Sequence, residues 1–284
     1  MGEREDGTME DALKEIAYLT RSPNRVRILD CLAEGPRTRR EAKEASGATR
    51  TTVDRIVNEL EDRGWVERTT DGNYAATPVG RQLVRELTPL VRAVEAIQEL
   101  GSAVEWLPLD ELSVGLQDFA DATVRRPDRG DPVDTIDYMT DLVREASELR
   151  ALTHLVPPES FLRVTHDAIV SGQLRLEGVV PTDHVEPYIE TQRRRERWQA
   201  ILEAGGELHL HEAALPCNMW IIDETVLIKR SDPGRMEDSY GVPVVTTDGT
   251  VRDAAHDLID RYRDAGTQVG PGAFDVLADE PETS

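Results

Sequence analysis

The chain has 284 residues, 39% of them apolar, with 55 acidic and 33 basic side chains and a formal net charge of −22. Its length exceeds one small helical domain by roughly 200 residues, enough for a second domain with its own core. Two cysteines, Cys31 and Cys217, exclude a disulfide framework and suit a reducing interior.

The start MGEREDGTMED is acidic and lacks an apolar signal core, and no run of about 18 apolar residues occurs. The expectation is a cytoplasmic protein with no membrane partner, frayed over its first eight residues. Leu13, Ile16 and Leu19 then mark a leading helix. Ser22-Pro23 caps a second, carrying Val26, Ile28, Leu29 and Leu32 and ending near Gly35-Pro36. Thr38 opens a third, with Glu41 placed for a reciprocal capping box, and Ser46-Gly47 breaks it. Thr49 caps a fourth, whose Val53, Ile56, Val57 and Leu60 share one face. After Arg63-Gly64, Trp65-Val66 and Tyr74-Ala75 bracket the turn-rich stretch 69–73, which spells a hairpin. This order, over residues 9–76, is that of a winged helix-turn-helix.

Such a motif offers double-stranded DNA as a partner, because the first turn of its second helix enters the major groove and needs donors that reach base edges and phosphates. The candidate DNA-binding residues are Arg39 and Arg40 on the preceding helix, Thr49, Arg50, Thr51, Thr52 and Arg55 on the reading helix, and Arg68, Thr70 and Asn73 on the wing. Helix-hairpin units also serve as protein-binding modules, so an adaptor remains the alternative. The net charge argues against DNA until its distribution is read. From Arg21 to Thr70 there are 11 basic and 9 acidic residues, leaving 22 basic and 46 acidic elsewhere. Only Lys14, Lys43 and Lys229 are lysines. An acidic, lysine-poor surface resembles proteins of salt-accumulating archaea, where molar salt shortens the Debye length to about 3 Å. The same salt weakens phosphate attraction, shifting specificity toward base contacts.

Residues 77–107 read as a connecting helix. Leu83, Leu87, Leu90, Val94 and Ile97 alternate four and three apart, a seam suited either to a homodimer or to packing within the chain. Residues 108–268 then alternate helix and strand: helices over 133–149, 159–170, 183–204 and 250–265, strands over 150–156, 173–180, 207–211, 217–222, 226–230 and 242–246. That pattern argues for an α/β layered domain with a mostly parallel sheet and one antiparallel hairpin. No Gly-rich phosphate loop follows any strand, and no cofactor is expected. Residues 269–284 read as a tail.

Two stretches carry a resemblance: RALTHLVPP from Arg150 to Pro158 and GGELHLHEAALPCNMWIIDETVLIKR from Gly205 to Arg230. With the order of parts, they make the chain similar to archaeal, including haloarchaeal, winged helix-turn-helix regulators with a C-terminal methanogenesis regulatory protein middle domain. The resemblance implies transcription control by the N-terminal part and sensing of a small-molecule effector, or assembly, by the C-terminal part. The second stretch also resembles the strand-hairpin carrying the phospholipase D motif His-x-Lys-x4-Asp, whose chemistry needs a histidine nucleophile. With Asp223 on the motif aspartate, His and Lys fall on Pro216 and Asn218, and a shift by one gives Leu215 and Cys217. The fold class is therefore an α+β winged helix-turn-helix joined to an α/β layered domain compatible with phospholipase D-like architecture but lacking its catalytic motif. The expectation is not an enzyme, with a phosphodiesterase-like hydrolase as the second alternative.

Four residues near the strand-hairpin are candidate ligand contacts: His211, Trp220, Lys229 and Arg230. His209 and His211 alternate on one strand and would share its solvated face. Without a third and fourth ligand at typical spacing they predict no metal. The run Arg193 to Arg197, RRRER, reads as a solvated helix face or an anion-binding one.

Overall fold

The computed structural model describes residues 3–126, 133–231 and 242–274. The chain divides into two compact units, one up to Val91 and one from Arg92.

The first unit comprises α1 (Glu3–Thr20), α2 (Pro23–Ala33), α3 (Arg39–Ser46), α4 (Arg50–Asp62), the antiparallel β1 (Val66–Arg68) and β2 (Tyr74–Ala76), and the first part of α5 (Pro78–Leu100). Helix α1 begins at Glu3, so the expected fraying over eight residues is not seen in the backbone from there on. Two of the three sequence-read caps make their side-chain bonds. The Thr38 hydroxyl accepts from Glu41 N while the Glu41 carboxylate accepts from Thr38 N at 2.7 Å. Those bonds from the Thr38 backbone and hydroxyl hold the Glu41 carboxyl below its ordinary range. Thr49 accepts from Thr52 N. Ser22 takes the third cap position without a side-chain bond, and Pro23 leaves one fewer N–H there to satisfy. Gly47, at φ 68°, ends α3 in the left-handed region that favours glycine.

Ile28, Leu29, Leu32, Val53, Ile56, Val57, Leu60 and Trp65 form the core of this unit. Leu83 and Leu87, the first two seam positions, pack against it. A Cβ on Gly80 would stand 2.0 Å from the Trp65 carbonyl oxygen, so only glycine lets α5 approach the hairpin backbone. On α1 only Leu19 is buried among the three expected apolar positions; Leu13 and Ile16 are exposed. The helix is held instead by Tyr18, whose hydroxyl donates to Glu59 Oε2 at 2.8 Å under the Arg63 guanidinium.

The second unit contains the end of α5, α6 (Leu109–Leu112), β3 (Thr123–Val124), α7 (Val133–Glu145), β4 (Glu148–Leu152), α8 (Glu159–Val170), β5 (Arg175–Pro181) and α9 (Glu186–Ile189). It continues with α10 (Gln192–Glu203), β6 (Glu207–His211), β7 (Cys217–Ile222), β8 (Thr225–Arg230), β9 (Val244–Thr246), α11 (Gly249–Ala265) and β10 (Thr267–Gln268). One sheet runs in the order β10-β6-β5-β4-β7-β8-β9-β3. The expected mostly parallel sheet is corrected here: only β4–β5 and β5–β6 are parallel, and the other pairings are antiparallel. The crossovers through α8 and through α9 and α10 make the parallel pairs, whereas β7 returns beside β4 and turns straight into β8.

The expected single helix over 183–204 is also corrected. Pro187 sits in the first turn of the short α9, and Thr191, with extended backbone, caps a separate α10 by accepting from Arg194 N. Part of the expected tail is packed: Val269 N donates to Leu208 O at 2.8 Å, and Val269 and Phe274 are buried. The remainder of that tail, 275–284, lies outside the described residues.

Alternate residues of β7 enter two different cores. Trp220 and Ile222 join Leu149, Phe161, Leu162, Trp198 and Ile201 of β4, α8 and α10. Cys217, Met219 and Ile221 join Val251, Ala255, Leu258 and Ile259 of α11. Strand β7 is therefore apolar on both faces but for Asn218, which is why it reads as a continuous hydrophobic run.

Candidate functional site

Helix α4 turns Val53, Ile56, Val57 and Leu60 inward and leaves Arg50, Thr51 and Arg55 outside. The Arg50 side chain is 88% exposed and its Nε stands 4.0 Å from Asp54 Oδ2. Arg55 donates to Glu59 Oε1 at 2.6 Å one turn on. Thr52 is half-buried, its hydroxyl 2.9 Å from that of Thr49. Arg40 is exposed, 3.9 Å from Glu44. Thr70 is exposed and Asn73 half-buried at the hairpin turn, where Arg68 Nε reaches the Gly72 carbonyl at 3.5 Å.

Arg39 differs from the rest of this set. It donates to Asp54 Oδ1, Asn58 Oδ1 and the Tyr74 hydroxyl, each at 2.8 Å, and its guanidinium lies 4.8 Å from the Tyr74 ring centre. It braces α3 to α4 and β2, which corrects the expectation of an outward-reaching donor. The sequence signal for this is Asp54, placed on the same helix as the arginines.

In the second unit a cavity of about 280 Å³ opens between the sheet and α7, α8 and α10. Two of the four expected ligand residues, Trp220 and Lys229, line it. The other two do not. His211 lies on the opposite face of β6, its ring 4.7 Å from that of Tyr262 on α11, and its Nδ1 accepts from Ala213 N. Arg230, one residue beyond Lys229, is exposed and borders a separate hollow with Trp106 and Val124. Proximity in sequence groups Lys229 with Arg230, and strand alternation separates them. Sequence reasoning also misses Thr153, Tyr188 and Trp198, which line the cavity. A hint is present: Trp198 is the one aromatic residue in the highly charged α10.

His209, expected on a solvated face, is buried instead, because α11 covers that side of the sheet. Its Nε2 is 3.6 Å from Glu207 Oε2, too far for a hydrogen bond. Among the described residues no group of three metal-ligating side chains converges. The arginine run is consumed inside the unit. Arg193 pairs with Glu159 at 3.4 Å, Arg197 pairs with the same carboxylate, and Arg194 and Arg195 donate to the carbonyls of Pro157 and Ile189.

Asp223, the motif-aspartate position, occupies the two-residue β7–β8 turn at φ 48°. Its carboxylate accepts from Ser147 N, Ser147 Oγ and Glu148 N. Asn218 accepts from Thr153 Oγ1 and His154 N and donates to the Arg230 carbonyl. Both side chains are thereby committed to holding strands together. Burial pushes the Cys217 thiol up to about 12, which leaves no thiolate to react. No helix among the described residues is long and apolar enough to cross a membrane.

Residues 13–99 match the family model described as HVO_A0261 N-terminal domain, and residues 132–265 match that of the methanogenesis regulatory protein FilR1, middle domain. No curated protein matches the chain. Among solved structures, it is similar to TrmBL2, described as an archaeal chromatin protein with a novel mode of DNA binding, at 14% identity and a TM-score of 0.41. That likeness covers 86% of this chain and 92% of the other. It is more loosely similar to the dimethyltransferase RosA from Streptomyces davawensis (14% identity, 75% and 68% of the two chains, TM-score 0.25). The mitomycin 7-O-methyltransferase MmcR stands at the same level (12% identity, 97% and 92%, TM-score 0.23). Likenesses this loose bear on neither activity nor partner. The two family models, matched in order along the chain, are what identify it: it belongs to the archaeal regulators that carry a FilR1 middle domain after an HVO_A0261-type N-terminal domain.

Proposed function

We propose that this chain is a DNA-binding transcriptional regulator. Its helix-turn-helix and wing read promoter DNA, and its C-terminal α/β unit, of phospholipase D-like architecture, senses a small molecule. The observation that carries the reading is the division of labour on α4, where the core positions are buried and Arg50, Thr51 and Arg55 stay outside on the first turns. Arg40, Arg68, Thr70 and Asn73 add phosphate and groove contacts, and Thr49 and Thr52 hold the start of the helix. The chain does so without phospholipase D-type catalysis, since Asp223 and Asn218 are engaged in structural bonds and Pro216 stands where the nucleophile would be.

The protein acts as a homodimer in a salt-rich cytoplasm. The later seam positions Leu90, Val94 and Ile97 are exposed, in contrast to Leu83 and Leu87. A second copy covering them would set the spacing of the two reading helices, and an effector favouring one arrangement would change operator affinity. Leu90→Glu is expected to give monomers in sedimentation analysis while the fold is kept. A monomeric wild type at micromolar concentration refutes the dimer.

Chromatin pull-down of the tagged protein with sequencing, in cells at their natural salt, tests the regulator reading. Sharp promoter peaks support it. Enrichment of proteins but of no DNA would favour the adaptor.

A further inference from the structure

The wall of the cavity in the second unit asks little of a guest. An engineered cavity of about 150 Å³ holds benzene, so about 280 Å³ takes on the order of ten heavy atoms. Most of the wall is aliphatic and aromatic, with Met139, Phe161, Leu176 and Trp220 prominent. Its hydroxyl groups have already given up their hydrogens: Thr165 to Phe161 O, Tyr188 to Leu155 O and Thr153 to Asn218 Oδ1. Lys229, the one charged side chain among the described lining residues, is buried and already has a partner of its own. Water held here finds few of the roughly two to four polar partners it needs, so an apolar guest displaces it at little cost.

Trp198 of α10 differs from these satisfied groups. It lines the cavity at 5% exposure, and its buried Nε1 has no hydrogen-bond partner among the described residues. Buried donors are nearly always paired, because an N–H taken out of water without a partner loses its solvation with no replacement. A guest that brings one acceptor supplies the missing bond. The lining is buried except at Ile136 and residues 155–158, so the cavity meets solvent between the first turn of α7 and the segment that follows β4.

We infer that the cavity binds a small uncharged molecule, apolar over most of its surface, that places one acceptor such as a ketone or ester oxygen on the Trp198 N–H. A carboxylate fits less well, because it would bury a charge in an apolar wall whose cation, Lys229, is already partnered. A sugar of equal size is excluded, because this wall would leave most of its hydroxyls unpaired. This names the chemistry of the effector in the sensing role proposed above, and rests on that role only for its regulatory consequence.

The test is calorimetric titration of the full chain, in molar KCl near neutral pH, with acetophenone, its hydrocarbon counterpart isopropylbenzene, benzoate and glucose. Saturable binding of a single acetophenone per chain is expected, with isopropylbenzene also bound, benzoate weaker by about tenfold or more, and glucose not bound. Trp198→Phe keeps an aromatic ring and removes the donor. It is expected to weaken acetophenone about three- to tenfold and to leave isopropylbenzene unchanged, a contrast that a change of cavity shape alone would not give. In the wild type the Trp198 indole N–H resonance is expected to move downfield with acetophenone and not with isopropylbenzene, a reading that needs no variant. Absence of acetophenone binding, benzoate bound as tightly as acetophenone, equal effects of Trp198→Phe on acetophenone and isopropylbenzene, or an unmoved Trp198 resonance overturns the assignment. Operator affinity with and without acetophenone is read separately: binding that leaves it unchanged retains the site and refutes its use as a sensor.

Discussion

In the first unit Arg50 keeps 88% of its side chain in solvent beside a distant Asp54, whereas in the second Arg150 is buried and bonded on every side. Arg150 Nε donates to Glu177 Oε1 at 3.1 Å, Nη2 to Asp260 Oδ1 at 2.6 Å and Nη1 to His256 Nδ1 at 2.8 Å. Arg263 closes the network through Glu177 and Asp260. The same guanidinium thus serves in one place as an uncommitted donor and in the other as a cross-link between β4, β5 and α11. The difference follows from what surrounds each. An arginine whose neighbours are other exposed arginines and threonines has donors to spare for an incoming polyanion. One enclosed by three acceptors has none.

Substitutions can break this comparison at either end. Arg150→Ala leaves Glu177 with Arg263 as its remaining ionic partner, and removal of one partner from a buried pair costs about 3 kcal/mol or more. Because Asp260 retains solvent contact, about 2–3 kcal/mol is expected here, read as a lower denaturation midpoint. Thr38→Ala removes one side of the capping box and is expected to cost about 1 kcal/mol, all of it in the first unit. If the two units melt separately, the two changes are expected to act on different unfolding transitions.

The smallest effect is acid-dependent. Burial pushes the Asp260 carboxyl up, but its hydrogen bond and attraction to Arg150, with help from Arg263, outweigh this and hold it below the ordinary value of 3.8. A carboxylate lowered on folding contributes stability that is present above its unfolded pKa and lost as pH falls through its folded one. Wild type should therefore lose stability below about pH 4 more steeply than Asp260→Asn, measured by urea midpoints along a pH series. Parallel curves would remove Asp260 from the network.

Local rules carry the first unit almost entirely. Thr38, Glu41, Gly47, Thr49 and Gly64 each announce a helix boundary through bonds made within a few residues, so the helices and the hairpin are readable in order. In the second unit, α8 and β7 are equally plain from their apolar residues, and β6 from its alternation. The order of the strands is not, because the pairing of β7 with β4 joins Leu149 to Ile222 across a long stretch of chain. The two-residue edge strands β3 and β10 are too short for any periodicity to register. Spacing also fails to tell covered positions from free ones: Leu87 and Leu90 belong to one repeat, yet the first is in a core and the second is 57% exposed. The cavity is half legible, since alternation on a strand places Trp220 and Lys229, while Trp198 depends on where α10 docks.

The measurement closest to the central claim is a salt-dependent titration of operator DNA with wild type and the Arg50→Ala, Arg55→Ala double variant, alongside their melting curves. Each base or phosphate interaction removed is worth about 1–3 kcal/mol, so for the two together a fall in affinity of about thirtyfold or more is predicted, with a shallower salt slope and unchanged melting. Equal affinity and equal slope in the two proteins would contradict a reading helix at α4.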